Sequence, residues 1–151
     1  MEQEAVKLYL KEGTVIEVLF ADGRTKRYDM AGLFAKYPWV SALNDRKLFL
    51  KGKLLGWGVI VWNEDIDVSP DTVYEFGDTV DSPEDAEQII LGYRLKKARL
   101  EEELTQEELS ERTGIDQSDI SKLEKGALNP SLGLIRRVAR ALGKSISIVL
   151  L

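Results

Sequence analysis

The sequence predicts an α+β domain, built as an antiparallel sheet with short helices, followed by an all-α domain with a C-terminal strand. Short β-branched runs separated by turn residues fill the first half, which is the pattern of a sheet. Apolar residues recur at helical spacing in the second half. The short and turn-prone residues 77–82 lie between these two patterns. We therefore expect one domain over residues 1–80 and a second over residues 83–151.

Five segments of the first half have the composition of strands, and together they predict a meander of roughly four strands. They are residues 5–10, 14–20, 24–28, 47–55 and 58–62. Residues 30–37 predict a short helix that ends at Pro38. A second helix is expected to follow Ser69, because Pro70 would occupy its first position.

The second half opens with the residue types of a helix start. Ser82 is a hydroxyl N-cap, Pro83 suits the first helical position, and two acidic residues follow in the first turn. Apolar side chains then recur at Leu91, Leu95 and Ala98, on one face of the expected helix.

Two shorter helices joined by a tight turn are expected next. Thr105 and Glu108 have the spacing of a capping box, which predicts a helix that ends near Gly114. Residues 116–119 place an acid at both the N-cap and the N3 position of a second helix, which Gly126 would end. Two short helices with a glycine-containing turn of three to four residues predict a helix-turn-helix unit.

The composition excludes most catalytic chemistry. The chain of 151 residues has no cysteine and no histidine, so thiolate or histidine zinc sites and histidine-dependent triads are absent. We therefore expect no enzyme, no cofactor and no metal. No apolar run approaches a membrane span, and the N-terminal residues lack a secretory pattern, so we expect a cytoplasmic protein without membrane contact.

The net charge of −5 opposes a nucleic-acid role for the chain taken as a whole. Residues 1–82 account for −4 of this charge and residues 83–151 for −1. The second half is therefore near neutral, and the objection applies mainly to the first half.

The stretch LTQEELSERTGIDQSDISKLEKGALNPSL, residues 104–132, resembles the Cro/repressor (xenobiotic-response-element) family of helix-turn-helix domains. The resemblance covers about residues 88–144. It implies a lambda-repressor-like fold in which residues 117–125 form the recognition helix in the major groove of an operator. Ser110 stands where the family usually has alanine at the helix crossing, and serine is nearly as small.

The resemblance also implies which residues contact double-stranded DNA. Base edges or the flanking backbone would be met by Gln117, Ser118, Ser121 and Lys122. Phosphates would be met by Gln106, Arg94, Lys97, Lys125 and Asn129. For Arg94, Lys96, Lys97 and Arg99, a solvated helix face is the alternative to phosphate contact. Asp116 and Asp119 are expected to cap the helix and need not face DNA.

The first half resembles a small α+β domain of unknown function over about residues 4–77. The residues that carry this resemblance are Phe20-Ala21-Asp22-Gly23, Leu48-Phe49-Leu50, Gly58–Trp62 and Asp65-Ile66-Asp67. That family occurs alone or fused to helix-turn-helix domains, and some members are suspected antitoxins. The resemblance implies a partner protein, such as a cognate toxin, or a small ligand at this domain.

The segment Ser145–Leu151, SISIVLL, predicts a strand at the C-terminus. Ile146, Ile148 and Leu150 would share one face, and an exposed strand edge tends to pair with the N-terminal sheet or with a second copy. Because helix-turn-helix proteins usually read two half-sites through a two-fold axis, we expect a homodimer.

These observations together predict a sequence-specific DNA-binding regulator, a dimeric repressor that could serve as an antitoxin. Two alternatives remain open. One is a protein-interaction module whose helix-turn-helix does not bind DNA. The other is a carboxylate-dependent magnesium enzyme that would use Glu64, Asp65 and Asp67.

Overall fold

A computed structural model describes residues 3–56 and 58–151 of the chain. It divides into two compact units, one ending at Ala86 and one beginning at Glu87. No helix among the described residues is long and apolar enough to span a membrane.

A four-stranded antiparallel sheet organises the first unit. Its strands are β1 (Ala5–Leu10), β2 (Val15–Phe20), β3 (Thr25–Asp29) and β7 (Asp78–Val80), in the order β1-β2-β3-β7. Leu8 pairs with Val18, and Val18 pairs with Lys26. The first three predicted strands are thus confirmed to within a residue or two at their ends. The fourth strand, β7, was not predicted.

A smaller antiparallel sheet contains β4 (Lys53–Leu54), β5 (Ile60–Val61) and β6 (Asp67–Val68). The predicted strand over residues 47–55 is wrong for its first half, which forms helix α1 (Arg46–Phe49). The Asp45 side chain accepts a hydrogen bond from the Lys47 backbone N–H at 3.1 Å and caps this helix. The predicted strand over residues 58–62 is observed only at Ile60–Val61.

The helices of the first unit differ in part from the prediction. Residues Met30–Leu33 and Pro38–Asn44 form two 3-10 helices, so Pro38 begins a helix as well as ending the segment before it. Helix α2 (Pro70–Phe76) begins as predicted, with the Ser69 hydroxyl accepting from the Thr72 backbone N–H at 3.2 Å.

The core of the first unit lies between the larger sheet and the short helices. Ile16, Val18 and Phe20 project from β2 into this core and are fully buried. Phe49 of α1 stacks on Trp62, with 6.1 Å between the ring centroids, and the Trp62 indole N–H donates to the Phe49 carbonyl at 2.8 Å. Phe49 is therefore held in the core by its contacts with Trp62, on a helix whose start is fixed by the Asp45 cap.

The second unit is all-helical. It contains α3 (Ala86–Glu101), which starts at the unit boundary, α4 (Gln106–Thr113), α5 (Gln117–Glu124) and α6 (Leu132–Ala141). Its core collects Leu95, Leu109, Ile120, Leu123, Val138 and Leu142. All six are buried apolar residues, five within the helices and Leu142 at the C-cap of α6.

Two predicted ends of the second half differ in the structure. Helix α3 begins at Ala86, and the Ser82 hydroxyl hydrogen-bonds within the first unit, to the Gly23 carbonyl at 2.9 Å, instead of capping the helix. The C-terminal strand predicted over Ser145–Leu151 is wrong for the single chain, where these residues have no regular secondary structure. A strand needs a hydrogen-bonded neighbour, and a single chain supplies none for this segment.

Candidate nucleic-acid interface

Helix α4 is fixed at both ends by local hydrogen bonds. The Thr105 hydroxyl accepts from the Glu108 backbone N–H at 3.1 Å, and the Glu108 carboxylate accepts from the Thr105 N–H at 3.2 Å. This reciprocal pair is the predicted capping box. At the other end Gly114 has a φ of 72°, in the left-handed region that glycine occupies without strain.

The turn after α4 is held by two hydroxyl side chains. The Thr113 hydroxyl donates to the Leu109 carbonyl at 2.8 Å and accepts from the Ile115 N–H at 3.2 Å. The Ser110 hydroxyl donates to the Ile115 carbonyl, so serine at the helix crossing adds a bond that alanine would not make. These contacts fix the direction in which α5 leaves the turn.

Helix α5 has one buried face and one exposed face. Ile120, Leu123 and Glu124 are buried on the inner side. On the outer side Gln117, Ser118 and Lys122 are exposed, and Ser121 is half-buried beside them. Lys125, at the C-cap, is also exposed. The structure thus brings together on one helix the four side chains that the family resemblance assigns to base edges or the flanking backbone. We call this set, Gln117, Ser118, Ser121 and Lys122, the α5 outer face.

Two carboxylates flank the start of α5. Asp116 is the N-cap residue, but its side chain makes no capping hydrogen bond, so the predicted side-chain capping role of this residue is wrong. Asp119 lies in the first turn, where a negative charge is favourable to the helix dipole.

A close approach between α3 and the end of α5 sets the position of α5 within the unit. A Cβ atom added at Gly92 would lie 2.7 Å from the Glu124 carbonyl oxygen and closer still to that of Leu123. Gly126, with a φ of 73°, packs in the same way against the Ile89 backbone. Only glycine at both positions allows these backbones to touch.

A buried ion pair joins the same two helices. The Arg99 Nε donates to Glu124 Oε2 at 2.7 Å, and Arg99 Nη2 donates to Glu124 Oε1 at 2.9 Å. Arg99 Nη1 also donates to the Leu104 carbonyl at 2.7 Å. Hydrogen bonding to Glu124 raises the pKa of Arg99 above its ordinary value. The interpretation of Arg99 as part of a solvated face is therefore wrong.

Gln106 extends this ion pair to the first turn of α4. Its side-chain Nε2 donates to Glu124 Oε1 at 3.1 Å, and the residue is half-buried. The carboxamide therefore has a defined orientation, set by a carboxylate on α5. Among the described residues its oxygen makes no hydrogen bond, although a carboxamide oxygen can accept two.

The other residues assigned to phosphate contact lie on α3 and in the loop before α6. Arg94 and Lys97 are exposed and three residues apart on α3, so they share a side of that helix. Asn129 is exposed in the loop.

The sequence did not single out Gly92 or Glu124, and it did not predict that Arg99 is buried. The signal for Gly92 is a glycine within a predicted helix. The signal for Arg99 is its position four residues after the apolar Leu95, on the same side of that helix. Glu124 lies 25 residues from Arg99, and only the fold shows that the two side chains meet.

The acidic segment of the first unit forms a turn. The Asn63 side-chain oxygen accepts from the backbone N–H groups of Asp65 and Ile66, both at 2.9 Å. The Trp39 indole N–H donates to the Asp65 carbonyl at 3.0 Å. Within the described ranges 3–56 and 58–151, no group of three or more acidic side chains is arranged to hold a metal ion.

Comparison with known proteins matches both units to families. Residues 95–149 match the family model described as helix-turn-helix, and residues 5–78 match the model of a protein of unknown function, DUF2442. An uncharacterised HTH-type transcriptional regulator of Methanothermobacter thermautotrophicus is 52% identical over 50 residues, which are 33% of this chain and 72% of that protein. Both resemblances seen in the sequence are thus confirmed.

Two further similarities are partial. The immunity repressor protein of Bacillus phage phi105 is 37% identical over 59 residues, covering 39% of this chain and 41% of the repressor. A solved structure of a Nitrosomonas europaea protein aligns with 91% of this chain and 83% of its own, with a TM-score of 0.43 and 14% identity, which is too weak to support an inference. The match to the archaeal regulator, together with the geometry of α4 and α5, places the chain in the Cro/repressor-type helix-turn-helix family, with a DUF2442 domain preceding the helix-turn-helix.

Proposed function

We propose that this chain is a sequence-specific DNA-binding transcriptional regulator that acts as a dimeric repressor. The observation that carries the proposal is the α5 outer face, which presents polar side chains to solvent while the opposite side of the helix anchors the core. A recognition helix requires this division, because its inner side must hold it in place while its outer side enters the major groove.

The side chains of the α5 outer face have the chemistry of base recognition. Glutamine can bond adenine N6 and N7 together, lysine can donate to guanine O6 and N7, and serine can donate or accept. Gln106 supplies a phosphate contact from the first turn of α4, oriented by its bond to Glu124. The other phosphate contacts come from Arg94, Lys97, Lys125 and Asn129.

The charge distribution predicts modest affinity for random DNA. The net charge is −5, and Asp116 and Asp119 stand at the start of the proposed recognition helix. Each phosphate contact releases counterions, and this term supplies nearly all non-specific binding. Because the chain has few cations and places carboxylates near the recognition helix, phosphate contacts contribute little. Specific contacts and dimer avidity must therefore supply most of the affinity for the operator.

The C-terminal segment supports the dimer. Ile148, Val149 and Leu150 are exposed although all three are apolar, and isoleucine and valine favour strands. Pairing of Ser145–Leu151 with the same segment of a second copy would satisfy its backbone groups and cover these side chains. A two-fold dimer would place two copies of α5 about 34 Å apart on DNA.

Selection of genomic fragments by the full chain tests the proposal. Bound fragments are recovered and sequenced, and the most enriched duplex is titrated against salt. We expect a shared, two-fold symmetric sequence and a measurable dissociation constant at about 100 mM salt. Fragments without a shared sequence, or no binding at that salt concentration, would refute the proposal.

A finer proposal concerns the DUF2442 domain, which would bind a cognate toxin and make the chain an antitoxin. Its support is the family resemblance of the first unit to domains suspected in that role. Co-expression with the product of the neighbouring gene tests this proposal. We expect the two proteins to form a complex. The complex should persist in the variant Gln117→Ala/Lys122→Ala, which removes two of the DNA contacts proposed for residues 117–125. Absence of any complex would count against the antitoxin role and leave DNA binding untouched.

The alternative of a protein-interaction module makes a different prediction. Such a chain would bind a partner protein, and the selection experiment would yield random fragments. The exposed polar character of the α5 outer face favours DNA, because protein-interaction surfaces concentrate apolar and aromatic side chains at their centre.

A further inference from the structure

The outer side of α6 carries basic side chains that the proposed recognition of DNA by α5 does not use. Arg136, Arg137 and Arg140 are exposed on α6, and Lys144 is exposed three residues after its end. Among the residues that the structure describes, none of the four makes an ion pair or a side-chain hydrogen bond. We call these four residues the α6 basic face.

The sequence around the α6 basic face contains no compensating acid. Glu124 is the last acidic residue, and the 27 residues that follow it contain five lysines and arginines. Solvated helices usually mix the two signs, because opposite charges four residues apart stabilise a helix and like charges such as Arg136 and Arg140 destabilise it. A surface of one sign in a chain of net charge −5 is therefore complementary to an anionic partner.

We propose that the α6 basic face binds the phosphate backbone of DNA that flanks the site contacted by α5. This inference rests on the proposed function. Only seven residues, 125–131, connect the end of α5 to the start of α6, so the two helices are local neighbours in the chain. Arg136 lies in the middle of α6, about 6 Å along the helix axis from Leu132, the first residue after this loop.

The residue types of the α6 basic face favour phosphate over an acidic protein surface. Three of the four are arginines, whose planar guanidinium binds a phosphate through two parallel hydrogen bonds. The α5 helix and its C-cap supply only Lys122 and Lys125, which are few cations for a duplex that must be neutralised over several phosphates. Phosphate contacts from α6 would supply the charge that α5 lacks.

Salt titration of matched variants of the full chain tests this inference. The probes are a duplex carrying the most enriched selected sequence and a duplex with the same bases in scrambled order. The variant Arg136→Gln/Arg137→Gln/Arg140→Gln removes three charges from α6. The control Lys47→Gln/Lys51→Gln/Lys53→Gln removes three exposed charges from the first unit.

We expect the arginine variant to reduce the slope of log affinity against log salt by about 0.9 for each lost contact, or about 2.7 for three. It should weaken binding to both duplexes by the same factor, because phosphates carry no sequence information. The lysine control should keep the slope of the unaltered chain. A charge-preserving variant, with lysine at all three arginine positions, should also keep it.

Several results would overturn the inference. One is an unchanged salt slope in the glutamine variant, which an acidic protein partner at this face also predicts. Another is a reduction of the salt slope in the lysine control equal to that in the arginine variant. Loss of slope in the charge-preserving variant would show a structural effect in place of an electrostatic one. If the unaltered chain does not prefer the selected duplex, the proposed function itself fails and this inference fails with it, an outcome distinct from an unchanged slope.

Discussion

The buried ion pair between Arg99 and Glu124 predicts a large loss of stability when only one partner is changed. The two side chains are 8% and 3% exposed, so water cannot replace either of them. Glu124→Gln keeps the size of the side chain and one acceptor oxygen, but it removes the charge that compensates the guanidinium. One of the two bonds, at 2.7 and 2.9 Å, is lost at the same time.

The expected cost of Glu124→Gln is about 3–5 kcal/mol in the free energy of unfolding, which is typical of an uncompensated buried charge. For a unit of this size, about 3 kcal/mol corresponds to a fall in Tm of more than about 10 °C. The measurement is urea and thermal unfolding of the full chain followed by far-ultraviolet circular dichroism, to which the four helices of the second unit contribute.

The double variant Arg99→Met/Glu124→Leu is the matched control. It removes both charges and replaces them with apolar side chains, but it also removes the partners of the Leu104 carbonyl and the Gln106 amide, so we expect a smaller loss of stability than in Glu124→Gln. A cost below about 1 kcal/mol for Glu124→Gln would show that the pair is solvated and would refute this reasoning. A double variant as unstable as the single one would show that packing, and not charge, decides the stability.

Three further predictions concern backbone conformation and one titrating group. Gly114→Ala should lower the free energy of unfolding by about 1 kcal/mol through backbone strain alone, since its Cβ would meet open space. Gly92→Ala should lower it by more, because α3 and α5 would have to separate. Equal urea midpoints for the two variants would contradict this. Glu103 has a φ of 57°, so Glu103→Gly should raise the free energy of unfolding by about 0.5–1 kcal/mol, and a lower midpoint would contradict this. Partial burial raises the pKa of Asp22, but hydrogen bonds from Tyr74 and the Arg24 backbone outweigh it and hold the pKa below its ordinary value. The resulting stabilisation is present above the ordinary pKa of an aspartate and is lost as pH falls through the lowered pKa of Asp22. Tyr74→Phe should raise the titration midpoint of the Asp22 carboxyl, measured by NMR. An unchanged midpoint would count against this assignment.

The helix-turn-helix could be predicted because its signals are local. A capping box needs residues three positions apart, and the left-handed turn at Gly114 needs one glycine. The start of α6 is likewise set by the Ser131 hydroxyl, which accepts from the Leu134 N–H at 3.2 Å. Each of these features depends on neighbours in the sequence, so it can be recognised before the fold is known.

The features that the sequence did not reveal depend on residues far apart in the chain. The run near Phe49 resembles a strand in composition, but it is a short helix whose Phe49 side chain packs on Trp62, 13 residues later. Ser82 has the residue type of an N-cap, but its hydroxyl meets Gly23, 59 residues away. Arg99 could not be distinguished from its solvated neighbours until Glu124 was placed beside it. Tertiary contacts override local preference at these positions.

The specificity ratio of the α5 outer face is the most direct test of the central claim, that this face reads a DNA sequence. The ratio is the dissociation constant for a scrambled duplex divided by that for the selected duplex at one salt concentration. It is measured for the unaltered chain, Gln117→Ala, Lys122→Ala and the exposed α3 control Lys96→Ala. We predict that the first two variants lower the ratio by about tenfold each, from the loss of about 1–3 kcal/mol of base discrimination, and that the control leaves it unchanged. A ratio that stays constant while affinity for both duplexes falls would show that α5 contacts only the backbone and would contradict the claim.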